Sequence, residues 1–260
     1  MKRNLITHGA SLILIVATSL SAAPDLRAAD QSPGQRALAE AAGDRQFAFV
    51  LFYRDNDEPT QTMYQVLQEE LGQRTNAICL PIRITDRAEA GLVEKYDATR
   101  TPMPAVMAIA PNGAVTGVFV QDVTSQHVEA AIVTPGQAVC MRALQDQKLV
   151  LLCIQPGEET PVPSGVTQFQ SDDLFRKRTT LVTIQAGDPA EASFVSQLGV
   201  PASTPTSVTA FMAPPGVLLG KYDSEVTMDT LAKRLAAAGK CCDDPNCRHH
   251  RSNPRPKRQR

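Results

Sequence analysis

The chain lacks two sequence features that are typical of particular classes of protein: a Cys-x-x-Cys pair and, beyond the N-terminus, a long apolar run. It has six cysteines among 260 residues but no Cys-x-x-Cys pair, and beyond its N-terminal segment it has no apolar run long enough to cross a bilayer. The first absence excludes the usual dithiol loop, because disulfide exchange needs an attacking thiolate and a resolving thiol. The second absence argues against a transmembrane helix beyond the N-terminal segment. What remains, 43% apolar residues with mixed charge, indicates a globular chain with one large core or two smaller ones.

The N-terminus has the layout of a secretory signal peptide. Lys2 and Arg3 precede an apolar run at residues 12–20, and small residues follow. We assign residues 1–29 to this segment and expect cleavage between Ser21 and Ala29. The run is short for a bilayer span, so an uncleaved anchor is the weaker alternative. The sequence thus predicts an exported protein, periplasmic or secreted.

The chain also repeats itself at an offset of about a hundred residues. Three pairs of segments match: SPGQRALAEAAGDRQFAFVLF from Ser32 with TPGQAVCMRALQDQKLVLLCI from Thr134, DRAEAGLV from Asp86 with DPAEASFV from Asp188, and TPMPAVMAIAPNGAVTG from Thr101 with TPTSVTAFMAPPGVLLG from Thr204. Chance similarity does not keep register at three separate places. The sequence therefore predicts two similar domains, residues 32–133 and 134–239, and a further tail at 240–260.

Each repeat has the same predicted order of elements. A Ser-Pro or Thr-Pro helix start is followed by a buried strand, a helix, a second strand, a short helix, a strand after a Thr-Pro pair, a Gly hairpin with its return strand, and a final helix. This order resembles the thioredoxin fold over almost the whole of each repeat. The expected fold class is α/β, with two tandem thioredoxin-like domains, each a central mixed sheet flanked by helices.

In that family the loop after the first strand carries Cys-Gly-Pro-Cys. The corresponding residues here are Asp57, Glu58, Pro59 and Thr60 in the first repeat and Glu159, Thr160, Pro161 and Val162 in the second. Because none of them has sulfur, the resemblance implies two redox-inactive domains. We expect each proline to fix the first helical turn while the acidic residues favour the positive helix N-terminus, rather than a metal or substrate site.

The family also has a cis-proline that opens the third strand opposite this loop. Thr101-Pro102 and Thr204-Pro205 correspond to it, although Pro104 fits the distance to the glycine turn better and has Ser207 as its counterpart. Such a proline leaves an adjoining backbone edge free to pair with an extended peptide. The resemblance therefore implies peptide-binding residues at Thr101, Pro102, Thr204 and Pro205.

Three cysteines inside the repeats, Cys79, Cys140 and Cys153, each stand where the other repeat has leucine. A free cysteine packs as a small hydrophobic residue. We therefore interpret all three as core residues.

The tail contains a dense group of soft and imidazole ligands: Cys241, Cys242, Cys247, His249 and His250. They could hold zinc or copper, or Cys241 or Cys242 could close a disulfide loop with Cys247 in an oxidising compartment, which would leave one tail thiol for a bond to another chain. After Cys247 every charge is positive, whereas residues 30–239 carry 24 acidic against 16 basic side chains. We expect such a basic tail to be disordered, and it could adhere to an anionic surface.

Three functions follow from these observations. The first is a binding or scaffold module without catalytic activity or cofactor, whose partner is a polypeptide in the cell envelope or outside it. The second is a metal-binding protein that uses the tail. The third is a thiol oxidoreductase that uses the tail cysteines, although the adjacent Cys241 and Cys242 suit a redox pair poorly because a vicinal disulfide is strained.

Overall fold

The computed structural model describes residues 31–238, which form two α/β domains. The first consists of α1 (Pro33–Gly43), β1 (Phe47–Tyr53), α2 (Glu58–Leu71), β2 (Ala77–Arg83), α3 (Ala90–Lys95), β3 (Ala105–Ile109), β4 (Val115–Val120) and α4 (Ser125–Ala131). The second consists of α5 (Pro135–Gln145), β5 (Leu149–Gln155), α6 (Ser164–Ser171), β6 (Thr179–Gln185), α7 (Ala192–Gln197), β7 (Val208–Ala213), β8 (Val217–Tyr222) and α8 (Met228–Ala238). Among these elements no helix has the length and apolar character needed to cross a membrane.

Each domain contains its own four-stranded mixed sheet. The strand order is β2-β1-β3-β4 in the first domain and β6-β5-β7-β8 in the second. The first two strands along each domain run parallel, and the third pairs antiparallel with both the first and the fourth. With the alternating helices, this is the thioredoxin-like arrangement, so the predicted fold class of two tandem domains is confirmed.

The central strand of each sheet is buried on both faces, as its continuous apolar sequence predicts. In β1, Phe49 and Leu51 pack towards α2 and α4, whereas Val50 and Phe52 pack towards α1 and α3. Strand β5 divides its side chains in the same way between α6 and α8 on one face and α5 and α7 on the other. Each domain is therefore a three-layer sandwich with a core on each side of the sheet.

A buried glutamate fixes the start of the first helix. Ser32 is the N-cap of α1, and its hydroxyl accepts a hydrogen bond from the Gln35 main chain. Glu89, only 5% exposed, lies in a 3₁₀ turn just before α3. Its two carboxylate oxygens accept hydrogen bonds from the Ser32 hydroxyl at 2.6 Å and from the Gly34 N–H at 2.8 Å. This contact joins α1 to the turn that starts α3, and it places negative charge at a helix N-terminus.

The second domain has half of this contact: one carboxylate oxygen of Glu191 is hydrogen-bonded, and the other, Oε2, is buried with no partner among the described residues. Glu191, also 5% exposed, accepts a hydrogen bond from the Gly136 N–H at 2.6 Å. A Cβ atom at Gly136 would lie 2.7 Å from Ile184 and 2.9 Å from Glu191, so glycine is required there by close approach. The contact accounts for two of the matched segments, because Pro-Gly-Gln starts the helix and Asp-x-Ala-Glu supplies the carboxylate that binds it.

The two domains meet with a very short connection. Helix α4 ends at Ala131 and α5 begins at Pro135, as the Thr-Pro helix start predicts. Ala138 of α5 belongs to the core cluster of the first domain, and Met141 packs against it. Helix α5 therefore serves both domains.

Helix α6 is short: it ends at Ser171, although the apolar residues Leu174 and Phe175 follow soon after. The Asp172 carboxylate accepts a hydrogen bond from the Leu174 N–H at 2.9 Å, which is an Asx turn. Because the Leu174 N–H bonds to this side chain, it is not available for the main-chain hydrogen bond that another helical turn would need.

We predict that Gly34→Ala destabilises the protein, because its Cβ would lie 2.6 Å from Glu89 and 2.7 Å from Ile82. Overpacking of this kind costs about 1–3 kcal/mol, measurable as a lower midpoint of urea unfolding. Gly43→Ala is the matched control, since a Cβ there meets nothing within 4 Å and helix propensity favours alanine. Equal midpoints for the two variants would contradict this account of the helix start.

Candidate functional site

The turn between β1 and α2 is a capped helix start. Asp57 is the N-cap of α2, and its carboxylate accepts a hydrogen bond from the Thr60 N–H at 3.1 Å. Hydrogen bonding from Thr60 holds the pKa of Asp57 below its ordinary value. Pro59 lies in the first helical turn, and the buried Thr60 hydroxyl donates to the Asp55 carbonyl at 3.0 Å. The predicted role of this segment in capping is confirmed for the first domain.

The loop before β3 lies opposite this turn. Together they line a cavity of about 340 Å³ that is open to solvent. Its lining residues are Arg54, Asp55, Asp57 and Thr60 from the turn and Thr101, Pro102, Met103 and Pro104 from the loop. In the first domain the structure therefore brings together the two segments that the sequence singled out.

The cis-proline is not where we preferred to place it. The cis bond joins Met103 to Pro104, and Pro102 is trans. Pro104 directly precedes β3, and its carbonyl accepts a hydrogen bond from the Gln121 N–H at 2.9 Å just beyond β4. Pro102 lies two residues too early to start the strand, which is the reason that Pro104 fitted the distance to the glycine turn better.

The second domain has no cis-proline at the corresponding place. Pro205 is trans, and the only other cis bond among residues 31–238 joins Pro214 to Pro215 in the β7–β8 hairpin. Ser207 occupies the position of Pro104; it is 2% exposed and its hydroxyl has no partner among the described residues. The buried Thr204 hydroxyl donates to the Thr206 carbonyl at 2.9 Å. The Thr204 hydroxyl thus bonds to a residue that follows it in the loop, whereas the Thr101 hydroxyl donates to the preceding Asp97 carbonyl at 3.5 Å.

The segment at residues 159–162, which corresponds to the Asp57–Thr60 turn, also differs from the prediction. Residues 159–162 precede α6, which begins at Ser164 with Pro163 as its N-cap, so Pro161 does not fix a helical turn. The buried Gln155 side chain donates a hydrogen bond to the Thr160 carbonyl, and Val162 packs against the core. These two contacts tie the segment to β5 and to the core, and the helix begins only at Ser164. Glu159 therefore does not cap α6 as Asp57 caps α2.

A second groove, of about 490 Å³, adjoins the first domain's cavity and was missed by the sequence analysis. It lies between α2 and β2, and Thr60 lines both spaces. Its lining residues are Leu51, Tyr53, Asn56, Thr60, Gln61, Tyr64, Gln65, Pro81 and Arg83. The available signal was the position of Tyr53 and Tyr64, two of only four tyrosines in the chain, on either side of the Asp57 turn.

Two of the three internal cysteines are core residues, as predicted, and the third packs against a core while it stays partly exposed. Cys140 and Cys153 are buried in the second domain, and Cys79 is half-buried against the first domain's core. Burial raises the pKa of Cys79 and of Cys140 to about 12, and it raises the pKa of Cys153 as well. All three are free thiols of low reactivity.

The tail residues proposed as metal or disulfide ligands lie outside the described residues. Within residues 31–238, no group of three or more His, Cys, Asp or Glu side chains is arranged to hold a metal ion. The acidic side chains of the Asp55–Glu58 turn therefore form no metal cluster in this structure.

No family model and no curated protein matches this chain. Among solved structures, oxidised thioredoxin O2 from Arabidopsis thaliana is 13% identical, with a TM-score of 0.31 over 37% of this chain and 81% of that protein. The first two thioredoxin domains of Saccharomyces cerevisiae Eps1p are 12% identical, with a TM-score of 0.29 over 74% of this chain and 89% of that one. The NTD_N/C domain of alkylhydroperoxide reductase AhpF from Enterococcus faecalis is 12% identical, with a TM-score of 0.29, and the match covers 77% and 96% of the two chains.

We predict that the internal thiols do not react in the native protein. In a variant truncated after Gly239, which retains only Cys79, Cys140 and Cys153, the raised pKa leaves almost no thiolate at pH 8. A chromogenic disulfide reagent should release no colour from folded protein and three equivalents after unfolding in guanidinium chloride. Reaction of one thiol at the rate of a free cysteine would contradict the assignment of all three to the core.

Proposed function

We propose that this protein, whose two domains have the thioredoxin-like fold, is an exported, redox-inactive binding or scaffold protein. Its first domain holds an extended segment of a polypeptide partner in the cell envelope or outside it. The observation that carries the proposal is the cavity between the Asp57 turn and the Thr101–Pro104 loop, at the place where the fold's dithiol would stand. The signal-peptide layout of residues 1–29 supports export.

The chemistry of this place favours binding over catalysis. The turn offers carboxylates and a threonine hydroxyl that is already hydrogen-bonded, and it has no nucleophilic sulfur. The neighbouring groove adds the faces of Tyr53 and Tyr64, which suit an extended chain because aromatic side chains supply contact area at low entropic cost. A polypeptide could therefore run from the groove past Thr60 into the cavity.

The charges favour a basic or polar segment. Asp55, Asp57 and Glu58 are exposed at the turn, and Arg54 and Arg83 limit the excess of negative charge. Exposed charges are screened over about 8 Å at physiological ionic strength. We therefore expect weak binding that decreases as salt is added.

The tail supports a second candidate function, zinc or copper binding. It contains five candidate ligands, Cys241, Cys242, Cys247, His249 and His250, whereas the described domains offer no such group. Metal content of the full chain and of the truncation after Gly239 distinguishes this function from peptide binding. The basic residues that follow Cys247 could in addition hold the protein on an anionic surface.

The binding proposal predicts that Thr101→Lys abolishes capture of extended peptides. A lysine there would fill the cavity, while Thr62→Lys adds the same side chain on the exposed face of α2. Peptides of random sequence should be selected on the immobilised full chain, and binding of the selected peptides should fall at least about tenfold only for Thr101→Lys.

Two results would count against the proposal. Equal loss of binding in Thr62→Lys would indicate a general charge effect in place of a site at the cavity. Reduction of insulin disulfides by the full chain at a rate similar to that of a thioredoxin would show that the protein is a thiol oxidoreductase working through its tail.

A further inference from the structure

The two domains differ in how one edge of the sheet is covered. In the first domain, α5 lies along the outer edge of β4. The Gln145 side chain donates a hydrogen bond to the Val115 carbonyl at 2.7 Å and accepts one from the Val115 N–H at 3.0 Å. Arg142 donates to the Gly113 carbonyl at 3.0 Å. The amide of Gln145 thus satisfies both main-chain groups as a neighbouring strand would.

The corresponding edge of the second domain is open at Leu218, although Arg234 of α8 donates a hydrogen bond to the carbonyl of the next residue, Leu219. Leu218 pairs with Met212 as Val115 pairs with Ile109, and a bulge follows in each hairpin, so Leu218 is the counterpart of Val115. Val217 is 54% exposed and Leu218 is 44% exposed. Among the described residues, no side chain takes the place at Leu218 that Gln145 takes at Val115. An open strand edge with exposed apolar side chains is a place where another segment adds.

A second copy of the chain is a poor occupant of this edge. The helix equivalent to α5 is α1, so head-to-tail contact would place α1 of one copy on β8 of another. Glu40 and Gly43 stand in α1 where Arg142 and Gln145 stand in α5. A carboxylate would face the Gly216 carbonyl, and no amide would reach Leu218.

The chain's own continuation is the better occupant. In the first domain, the segment that covers the edge is the one that follows the last helix, since α5 begins just after α4. In the second domain, the segment in this position is 239–260. The Arg234 side chain of α8 donates a hydrogen bond to the Leu219 carbonyl, so the last turns of α8 lie within a side chain's reach of β8. Each further residue adds up to about 3.5 Å, so the segment 239–247 can span up to about 30 Å from the end of α8.

We propose that residues 240–247 dock along the outer edge of β8. Their main chain supplies the donor and acceptor for Leu218 that Gln145 supplies for Val115. Cys241 and Cys242 are the apolar side chains at the start of this segment and cover Val217 and Leu218, since free cysteine behaves as a small hydrophobic residue. The basic residues after Cys247 are then presented at the β8 side of the second domain.

The test is amide hydrogen exchange at Leu218 in the full chain and in the truncation after Gly239. Both are measured in reductant and chelator, so that neither a disulfide nor a metal holds the segment. Docking predicts that truncation accelerates exchange at Leu218 by about tenfold or more while exchange at Val115 stays unchanged. In a Gln145→Ala variant the pattern should reverse, with faster exchange at Val115 only.

A second variant tests the same docking in the full-length chain, without a deletion. Replacing Cys241 and Cys242 together by aspartate puts charge against Val217 and Leu218, and it should accelerate exchange at Leu218 as the truncation does. Equal exchange in all these proteins would overturn the proposal. So would protection of Leu218 that disappears on dilution, because that result would assign the edge to a second copy.

Discussion

The packing of each domain depends on a buried carboxylate bound to the start of a helix. Glu89 and Glu191 are each 5% exposed, and each accepts a hydrogen bond from the main chain of a glycine in the first turn of α1 or α5. A buried carboxylate is costly unless it is hydrogen-bonded, so the helix and the turn that carries the glutamate must stay together. That requirement places α1 beside α3, and α5 beside α7, on one face of each sheet.

The same contact fixes the junction between the domains. Because Glu191 and Gly136 hold α5 on its own sheet, the opposite side of α5 is available to the first domain, where Ala138 joins the core and Gln145 covers β4. The first domain is thus completed by a helix that belongs to the second. The site in the first domain lies on other elements, at the start of α2 and before β3, and it uses the rigidity of the sheet between them.

The parts of this molecule that the sequence predicted well are those set by local pattern. Continuous apolar runs such as FAFVLFY identified the central strands, and Ser-Pro and Thr-Pro pairs identified the helix starts. The internal repeat then allowed one domain to support the interpretation of the other, which led to the fold class. The capping role of Asp57 followed from the same local rules.

The misses arose where tertiary contacts decide between local alternatives. Pro102 and Pro104 are both allowed by their local sequence, and the bond between the Pro104 carbonyl and Gln121 is invisible to it. In the second repeat, the sequence match at Pro161 suggested a helical turn, but the Gln155 side chain binds the Thr160 carbonyl and the helix begins only at Ser164. The sequence showed that Glu89 and Glu191 occupy equivalent positions in the two repeats. It did not indicate their contacts, because the glycines that bind them lie 55 residues earlier in the chain.

The central claim is that the first domain binds an extended polypeptide where other proteins of this fold carry a dithiol. Titration of the isotope-labelled full chain with a selected peptide, followed by NMR, tests it most directly. The account predicts that the amide resonances that shift belong to residues 54–60 and 101–104, together with those of the neighbouring groove around Tyr64. Shifts confined to the second domain, or to residues 240–260, would contradict it.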